Sequence, residues 1–464
     1  MSDVSDLGEG REGRDGRVIG DGRDASDRGD IGDRGNGNDR SAARGRLPRR
    51  RLLRGALTTA AAAAAAGGVG LLAGESQAQA TQADEKARAA APGAAAGAAA
   101  YPFHGAHQAG ITTPKQSAAA FVSFDLTATG RAELTDLLKT LTQRLRFLST
   151  GGLPDPLGIG APPPDSGLLG PVVPADGLTA TVALGSSVFD GRYGLSGRAP
   201  HRLRPMDTFP DDDLDPAWCH GDLLLQLCAH HPDTVSHALR DLARHTRGGM
   251  QVRWRVDGFN SPPRPSGTPR NLFGFRDGTA NPATTDARLM SDLIWVGRGQ
   301  GEPSWAVGGS YLAVRLIKML VEFWDRVTIS EQERMFGRRR DSGAPLDGSA
   351  EFDTPDYAAD PTGSVIPLDA HMRLADPRTA ATADSRFLRR GYNYDRGTDA
   401  NGDLDMGLVF CAYQQDLDRQ FVTVQKRLAG EPLVDYVSPY GGGYFFALPG
   451  VADRSDWYGR ALLT

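Results

Sequence analysis

Beyond residue 100 the chain runs through one order of elements and then through it again, and no other feature restricts its fold as tightly. In the first half, Ala118 to Leu126 reads as a strand, Arg131 to Leu148 as a helix and Thr179 to Leu184 as a second strand. Gly221 to Ala229 is a third strand, carrying Leu223, Leu224, Leu225 and Leu227, and a helix follows from Pro232 to His245. In the second half, Ser310 to Val321 is strand-like and Ile329 to Phe336 helical, with Ser330 as N-cap and Glu333 three residues on, the pattern of a capping box. Leu404 to Tyr413 is again a strand, Asp416 to Leu428 a helix, and Gly443 to Leu448 a last short strand.

Strand, helix, strand, strand, helix, strand with antiparallel pairing is the ferredoxin-like order. Its double occurrence predicts an α+β chain of two ferredoxin-like halves, residues 101–250 and 251–464, with antiparallel sheets and peripheral helices. A chain of 464 residues, 40% hydrophobic and 23% charged, is long enough to bury one extended core or two. Its net charge of −5 gives no electrostatic footprint for nucleic acid, which is set aside as a partner. The three cysteines, Cys219, Cys228 and Cys411, are odd in number and too widely spaced for a disulfide framework or a zinc ribbon, so buried free thiols are expected.

The first hundred residues follow different rules. Residues 1–48 repeat Gly, Asp and Arg with almost no large apolar side chain, too little to offset the entropy of ordering them, and are expected to be disordered. Arg49-Arg50-Arg51-Leu52-Leu53-Arg54, an Ala- and Gly-rich apolar run to Ala73, and Ala78-Gln79-Ala80 have the order of a signal peptide over residues 49–80: charged n-region, weak h-region, A-x-A cleavage site. Consecutive arginines followed by leucines resemble a twin-arginine signal, which addresses folded proteins to the twin-arginine export machinery. Ala, Thr and Gly contribute little transfer free energy, so a cleaved signal is expected rather than a lasting membrane span. The product would be periplasmic or extracellular. Residues 81–100 suit a linker.

The segment most suggestive of chemistry is Asn271-Leu272-Phe273-Gly274-Phe275-Arg276-Asp277-Gly278-Thr279-Ala280-Asn281-Pro282. Two glycines flank an aspartate and Asn-Pro closes the run, so the backbone turns tightly and presents the carboxylate from a loop; by itself this is also the pattern of a plain turn. The G-x-x-D-G-T-x-N-P run resembles the signature of the dye-decolourising peroxidases. Phe103-His104-Gly105-Ala106-His107-Gln108-Ala109-Gly110-Ile111 resembles that family's opening segment, and Arg386-Phe387-Leu388-Arg389-Arg390-Gly391-Tyr392-Asn393-Tyr394 the segment after its haem ligand. With Phe336-Gly337-Arg338 and Tyr413-Gln414-Gln415-Asp416, the likeness covers Tyr101 to the end, and the exported subgroup that includes iron deferrochelatases is similar.

The resemblance implies one haem b, held mainly by the C-terminal half, with His371 as the ligand on its iron. An isolated histidine is more often an ordinary core or surface residue; the position of His371, 18 residues before Arg389, is what singles it out. A ligating imidazole usually donates its other ring proton to an acceptor, and Asp416 is the candidate, although a helix-start aspartate is also a natural N-cap. Asp277 and Arg389 are implied as the catalytic pair on the open face. A carboxylate with an ordinary pKa of about 3.9 stays a base at acid pH where a histidine near 6.5 is protonated, so activity favoured at acid pH is expected. Arg389 would stabilise the charge that develops as the oxygen–oxygen bond breaks, with the adjacent Arg390 as the alternative. Arg338 is implied as the partner of a haem propionate, with Arg339 and Arg340 close enough in sequence for a slip of one residue. Gly274, Phe275, Arg276, Gly278 and Thr279 of the signature are expected around the cofactor.

Other patterns are weaker. Asp399-x-Asn401-x-Asp403-x-Asp405 resembles a calcium loop but has Leu404 and Phe410 where an EF-hand needs Gly and Glu, so a hairpin turn is expected. Cys219, His220, Cys228, His230 and His231 are metal-capable, but Cys228 lies in an apolar strand. Gly441-Gly442-Gly443 reads as a turn before a strand. The leading expectation is a haem peroxidase using hydrogen peroxide and a small-molecule electron donor such as a phenol or dye, with an oligomer allowed. The alternatives are a deferrochelatase that frees iron from haem with the porphyrin intact, and a haem carrier with incidental peroxidase activity.

Overall fold

The computed structural model describes residues 100–464; the expected extension, signal peptide and all but the last residue of the linker lie outside the described residues. Strands β1 (Ala118–Leu126), β2 (Thr179–Gly185), β3 (Leu223–Ala229) and β4 (Met250–Phe259) make the antiparallel sheet of the first half, in the order β2-β3-β1-β4. In the second half, β5 (Ser310–Met319) lies between β8 (Leu404–Gln414) and β9 (Val437–Ala447). The short β6 (Leu388–Arg389) and β7 (Tyr392–Thr398) both pair with β8. Their register on β8 is continuous from Leu388 to Asp395, so the two behave as one strand interrupted at Arg390 and Gly391, and it shifts only between Asp395 and Thr398.

The two sheets meet at both edges. Ala183, Leu184 and Gly185 of β2 pair with Ala447, Phe446 and Phe445 of β9, and Phe259 of β4 pairs with Asn393 of β7. Because β5 bonds to both β8 and β9, the ladder closes on itself and leaves no long open edge among the described strands. Alternation along each strand then gives two buried faces. Ala119, Phe121, Leu224, Cys228, Val314, Cys411, Tyr413 and Phe445 pack together on the inner face. Ala120, Val122, Phe124, Leu225 and Leu227 face outward against helices.

The helix Arg131–Thr150 buries Leu134, Leu137, Leu138, Leu141, Leu145 and Leu148, a three- and four-residue spacing that puts one apolar stripe on the sheet. Each leucine contributes roughly 1.5–3 kcal/mol when fully buried. Gly130 supplies no capping side chain, but Glu133 accepts the N–H of Thr129 at 2.8 Å, and Gly151 ends the helix at φ 74°. The helix Pro232–His245 covers the same face with Val235, Ala238, Leu239 and Leu242.

Several expectations shift. β4 pairs with β1 over its length, so residues 251–259 belong to the first half, beyond the boundary expected at 250. An irregularity opposite Ser123 and Phe124 leaves Gln251, Val252 and Arg253 all exposed, so the strand's alternation starts only at Arg253. β6, two residues long, and β7, which runs from three buried residues into four exposed ones, show no sustained alternation either. The third strand begins at Leu223 rather than Gly221, and the strand from Ser310 stops at Met319. The helix Ile329–Phe336 is capped by Thr328, whose side chain accepts the N–H of Glu331, and Ser330 lies inside it. The segment expected to be helical from Asp416 begins as a π-helical turn, Asp418–Val422, and continues as the α-helix Thr423–Leu428. Gly441, Gly442 and Gly443 lie inside β9 instead of forming a turn. A Cβ on Gly441 would sit 2.6 Å from the Trp218 carbonyl, and Gly442 is at φ 118° against the backbone of Val314, so close backbone approach requires them. All three cysteines are buried and unpaired. No helix among the described residues is long and apolar enough to cross a membrane.

Candidate active site

On the outer face of the second sheet the helical cover is incomplete, and a cavity opens that encloses about 1830 Å³ of space, its mouth included. Its floor is Arg315 and Ile317 of β5 with Leu408 and Phe410 of β8. Val424 and Leu428 wall one side, and Phe273, Phe336 and Met372 contribute elsewhere. Arg315 is neutralised by a direct ion pair with Asp212, a residue of the first half.

His371 opens the short helix His371–Ala375 and projects into this cavity, half-buried. Its Nδ1 lies 2.8 and 2.9 Å from the two carboxylate oxygens of Glu431. A carboxylate only accepts, so Nδ1 is the protonated nitrogen and Nε2 keeps a free lone pair. Glu431 therefore replaces Asp416 as the acceptor. Asp416 binds Arg202 at 2.6 Å and takes the N–H groups of Asp418 and Arg419, the N-cap role. The capping preference of an aspartate at a helix start outweighed the longer reach to the histidine. Glu431 stands 60 residues from His371 in an ordinary polar turn, and no local pattern marked it.

The loop carrying Asp277 is shaped by its own side chains. Asn271 Oδ1 accepts the N–H groups of Phe273 and Phe275 at 3.1 Å each, and Gly274 at φ 85° makes the turn. Asn281 then clamps the loop to β6: its Nδ2 donates to the Arg389 carbonyl at 2.8 Å, and its Oδ1 accepts the Arg389 N–H at 3.0 Å. That reciprocal pair places the Arg389 guanidinium 3.2 Å from Asp277 Oδ1. Arg390, the next residue along the strand, points the other way and is buried among Thr113, Pro114 and Gln116. Burial by itself would push the Asp277 carboxyl up, but Arg389, Lys115, His371 and the Gly278 N–H together hold it below the usual carboxylate range.

Of the three successive arginines, Arg338 reaches the cavity, while Arg340 packs on Gly274. Arg338 donates to the carbonyls of Gly343 and Glu351 at 2.7 and 2.9 Å, and burial, with the nearby charges of Arg378 and Arg389, pushes its guanidinium down. Arg276 and Thr279 line the cavity. Gly274, Phe275 and Gly278 do not: Phe275 stacks on Phe336 from behind at 4.0 Å, and Phe273 takes the place at the wall. Phe273 in turn stacks on Trp324 at 4.5 Å.

These residues fit a haem. The walls are aliphatic and aromatic, as a porphyrin face requires, and a histidine with a fixed tautomer offers one nitrogen. Arg338, Arg378 and Arg386 gather at one side of the mouth, and Arg386 Nε is buried without a hydrogen-bond partner among the described residues, a donor suited to a propionate.

A closed double-sheet fold whose open half gathers a histidine, an aspartate–arginine pair and a cluster of arginines around one apolar cavity has what a haem-binding redox enzyme needs. Residues 108–260 match the N-terminal domain of the Dyp-type peroxidases and residues 268–452 the C-terminal domain. A deferrochelatase of Shigella flexneri serotype 5b is 52% identical over 407 residues, covering 85% of this chain and 95% of the relative. The crystal structure of a DyP-type peroxidase from Cellulomonas bogoriensis is 39% identical with a TM-score of 0.70, covering 79% of this chain and 99% of that one. Ferric DtpA from Streptomyces lividans is 35% identical with a TM-score of 0.72, covering 81% and 100%. The chain belongs to the Dyp-type peroxidase family. It is accordingly a haem enzyme of the peroxidase type, as the motifs implied.

Proposed function

We propose that this chain reduces hydrogen peroxide with Asp277 and Arg389 as the residues acting on the peroxide, that His371 would hold the haem iron, and that it oxidises small one-electron donors. The observation that carries this assignment is the 3.2 Å contact between Arg389 and Asp277 in the cavity that also receives His371. A bound haem supplies an iron able to accept oxidising equivalents from peroxide and to return them to donors one electron at a time.

The residues do the rest. Asp277, held as a carboxylate, takes the proton from one peroxide oxygen and delivers it to the other, which departs as water. Arg389 stabilises the negative charge on the departing oxygen and keeps the carboxylate oriented. Glu431 fixes the His371 tautomer and strengthens its donor nitrogen. Arg338, Arg378 and Arg386 hold the propionates. The low proton affinity of Asp277 supports a reaction that persists into acid solution.

The test is an absorption spectrum of the haem-loaded protein before and after one equivalent of peroxide. A rapid change in the haem bands is expected, slowed in Asp277→Ala and Arg389→Ala with haem retained. An unchanged parent spectrum would leave a haem carrier.

A second activity is favoured by the relatives named deferrochelatase: release of iron from haem with the tetrapyrrole intact. Its product is free protoporphyrin, read by fluorescence when haem is supplied under reducing conditions; recovery of haem alone refutes it. Export is proposed from Arg49, Arg50 and Arg51 ahead of the apolar run. Lysine at these three positions should leave the precursor in the cytoplasm, and unchanged export would refute the twin-arginine route.

A further inference from the structure

A second cavity, of about 1000 Å³ with its mouth, shares Asp277, Asn281 and Arg389 with the first as a common wall. Its other side comes from the first half of the chain, from the end of the short helix Ala109–Thr112 and the loop 113–115 that leads from it into β1. Lys115 lies on this loop. Its Nζ stands 5.3 Å from the centroid of the Tyr392 ring and makes no hydrogen bond or ion pair to any described residue.

The loop is pinned. Arg390, buried to 3% exposure, donates to the Thr113 carbonyl, to Pro114 O at 3.3 Å and to Gln116 Oε1 at 2.7 Å. Gln116 continues the chain of contacts to Gly177 O at 2.9 Å and Thr179 Oγ1 at 3.0 Å, on and before β2. Neighbouring residues of one strand thus serve the same carboxylate from two directions. Arg389 reaches Asp277 itself, and Arg390 fixes the segment that presents Lys115 to the shared cavity.

We propose that Lys115 is a positioning residue for the peroxide reaction: a second cation facing Asp277, contributed by the first half of the chain, that sets the pH at which this carboxylate takes up its proton. The assignment rests on Asp277 as the acid–base group. The other charges around Asp277 are Arg389 from β6, His371 across the cavity, and Arg276 and Arg338 along the wall. The carboxylate of Glu351 is engaged by Thr268 and Thr279. Arg276 and Arg338 donate to backbone carbonyls, and an imidazole bound to a metal through Nε2 is neutral, which leaves Arg389, in contact at 3.2 Å, and Lys115, on the wall of the second cavity, as the cations that face Asp277. Burial pushes the Lys115 ammonium down and Asp277 opposes that shift, as mutual stabilisation of the two charges requires.

The experiment compares Lys115→Met, Lys115→Gln and Lys115→Arg with the parent, all haem-loaded. Stopped-flow rates with peroxide across pH give the acid midpoint of the reaction. An infrared titration of the Asp277 carboxyl band, assigned by its loss in Asp277→Asn, gives the same midpoint without turnover. The Met and Gln variants should move both midpoints up by roughly one pH unit, and the Arg variant should keep them in place. Midpoints that coincide with the parent in Met and Gln, or an equal shift in all three variants, would overturn the assignment. Because the infrared titration needs no peroxide, failure of the catalytic assignment is told apart. In that case Asp277→Ala leaves the peroxide rate unchanged while the carboxyl band still responds to Lys115.

Discussion

The two halves share an element order and differ in what covers their outer faces. Over the first sheet lie helices of 20 and 14 residues whose buried leucines and valine join its core. Over the second lie a five-residue helix, His371–Ala375, and the π-to-α segment Asp418–Leu428, too short to close the layer. The outward residues change with the cover: Val122 and Leu225 in the first half, Arg315 and Ile317 in the second. One half spends its apolar face on stability, and the other leaves its face open so that a cofactor can complete the core. Dispersion and transfer terms of a buried porphyrin then replace those of a helix.

If that contrast is right, the largest effect comes from His371, the side chain proposed to tie the cofactor to the open half. His371→Ala should lose stoichiometric haem, by at least the ~100-fold that removing an outer partner of a metal ligand alone can cost, while the folded first half keeps its helical signal. Haem titration with circular dichroism checks both arms, and full haem retention would break the contrast. Asp277→Ala comes next. It should keep haem and lower the second-order rate with peroxide by about 10²- to 10⁴-fold, the range for a lost acid–base group, as read by stopped flow.

The closed half was the more legible in sequence because leucine periodicity and alternation act over short range. The strand at Ala118–Leu126 and the helix at Pro232–His245 have the bounds their residues suggest. β4, β6 and β7 were missed: an irregularity opposite Ser123 and Phe124 interrupts the alternation of β4, β6 is two residues long, and β7 runs from three buried residues into four exposed ones, so none shows a sustained two-residue period. At the site, the motif around Asp277 and the segment holding Arg389 were visible through their resemblance to the peroxidase family, since the turn residues around Asp277 by themselves read as a plain turn. Glu431 and Lys115 were not, nor was the clamp that Asn281 makes on Arg389, because each acts through a contact made only by folding: 60 residues to His371, from the opposite half to Asp277, and 108 residues to Arg389. The closure of the sheets was hidden for the same reason, resting on three β2–β9 residue pairs and one β4–β7 pair.

Two substitutions sharpen the contrast further. Leu141→Ala, in the middle of the filled stripe, should destabilise the protein by about 2–5 kcal/mol in denaturant unfolding, yet leave haem stoichiometry of the folded fraction unchanged. A loss of haem in step with stability would mean that the halves do not divide the work. Glu431→Gln keeps the shape beside His371 but removes the negative charge, and should weaken haem affinity or peroxide rate by about 10- to 100-fold. Haem titration and stopped flow read the two quantities separately.

The smallest effect expected concerns charge alone. Asp277 acts as a base only when ionised, so its activity is present above its pKa and lost as pH falls through it. Burial raises that pKa, and Arg389 is the foremost of the charges that bring it down. Arg389→Leu keeps the bulk of the side chain and removes the charge at 3.2 Å, so the proton affinity of Asp277 must rise and the acid limb of the peroxide reaction must move to higher pH, by roughly one unit or more. The plateau rate at neutral pH should fall as well, since charge on the departing oxygen loses its counterpart, and the two effects separate in a full pH profile. A lowered plateau with an unmoved acid limb would assign Arg389 to the departing oxygen alone. The control of Asp277 would then lie with the remaining cations facing it from the other half of the chain.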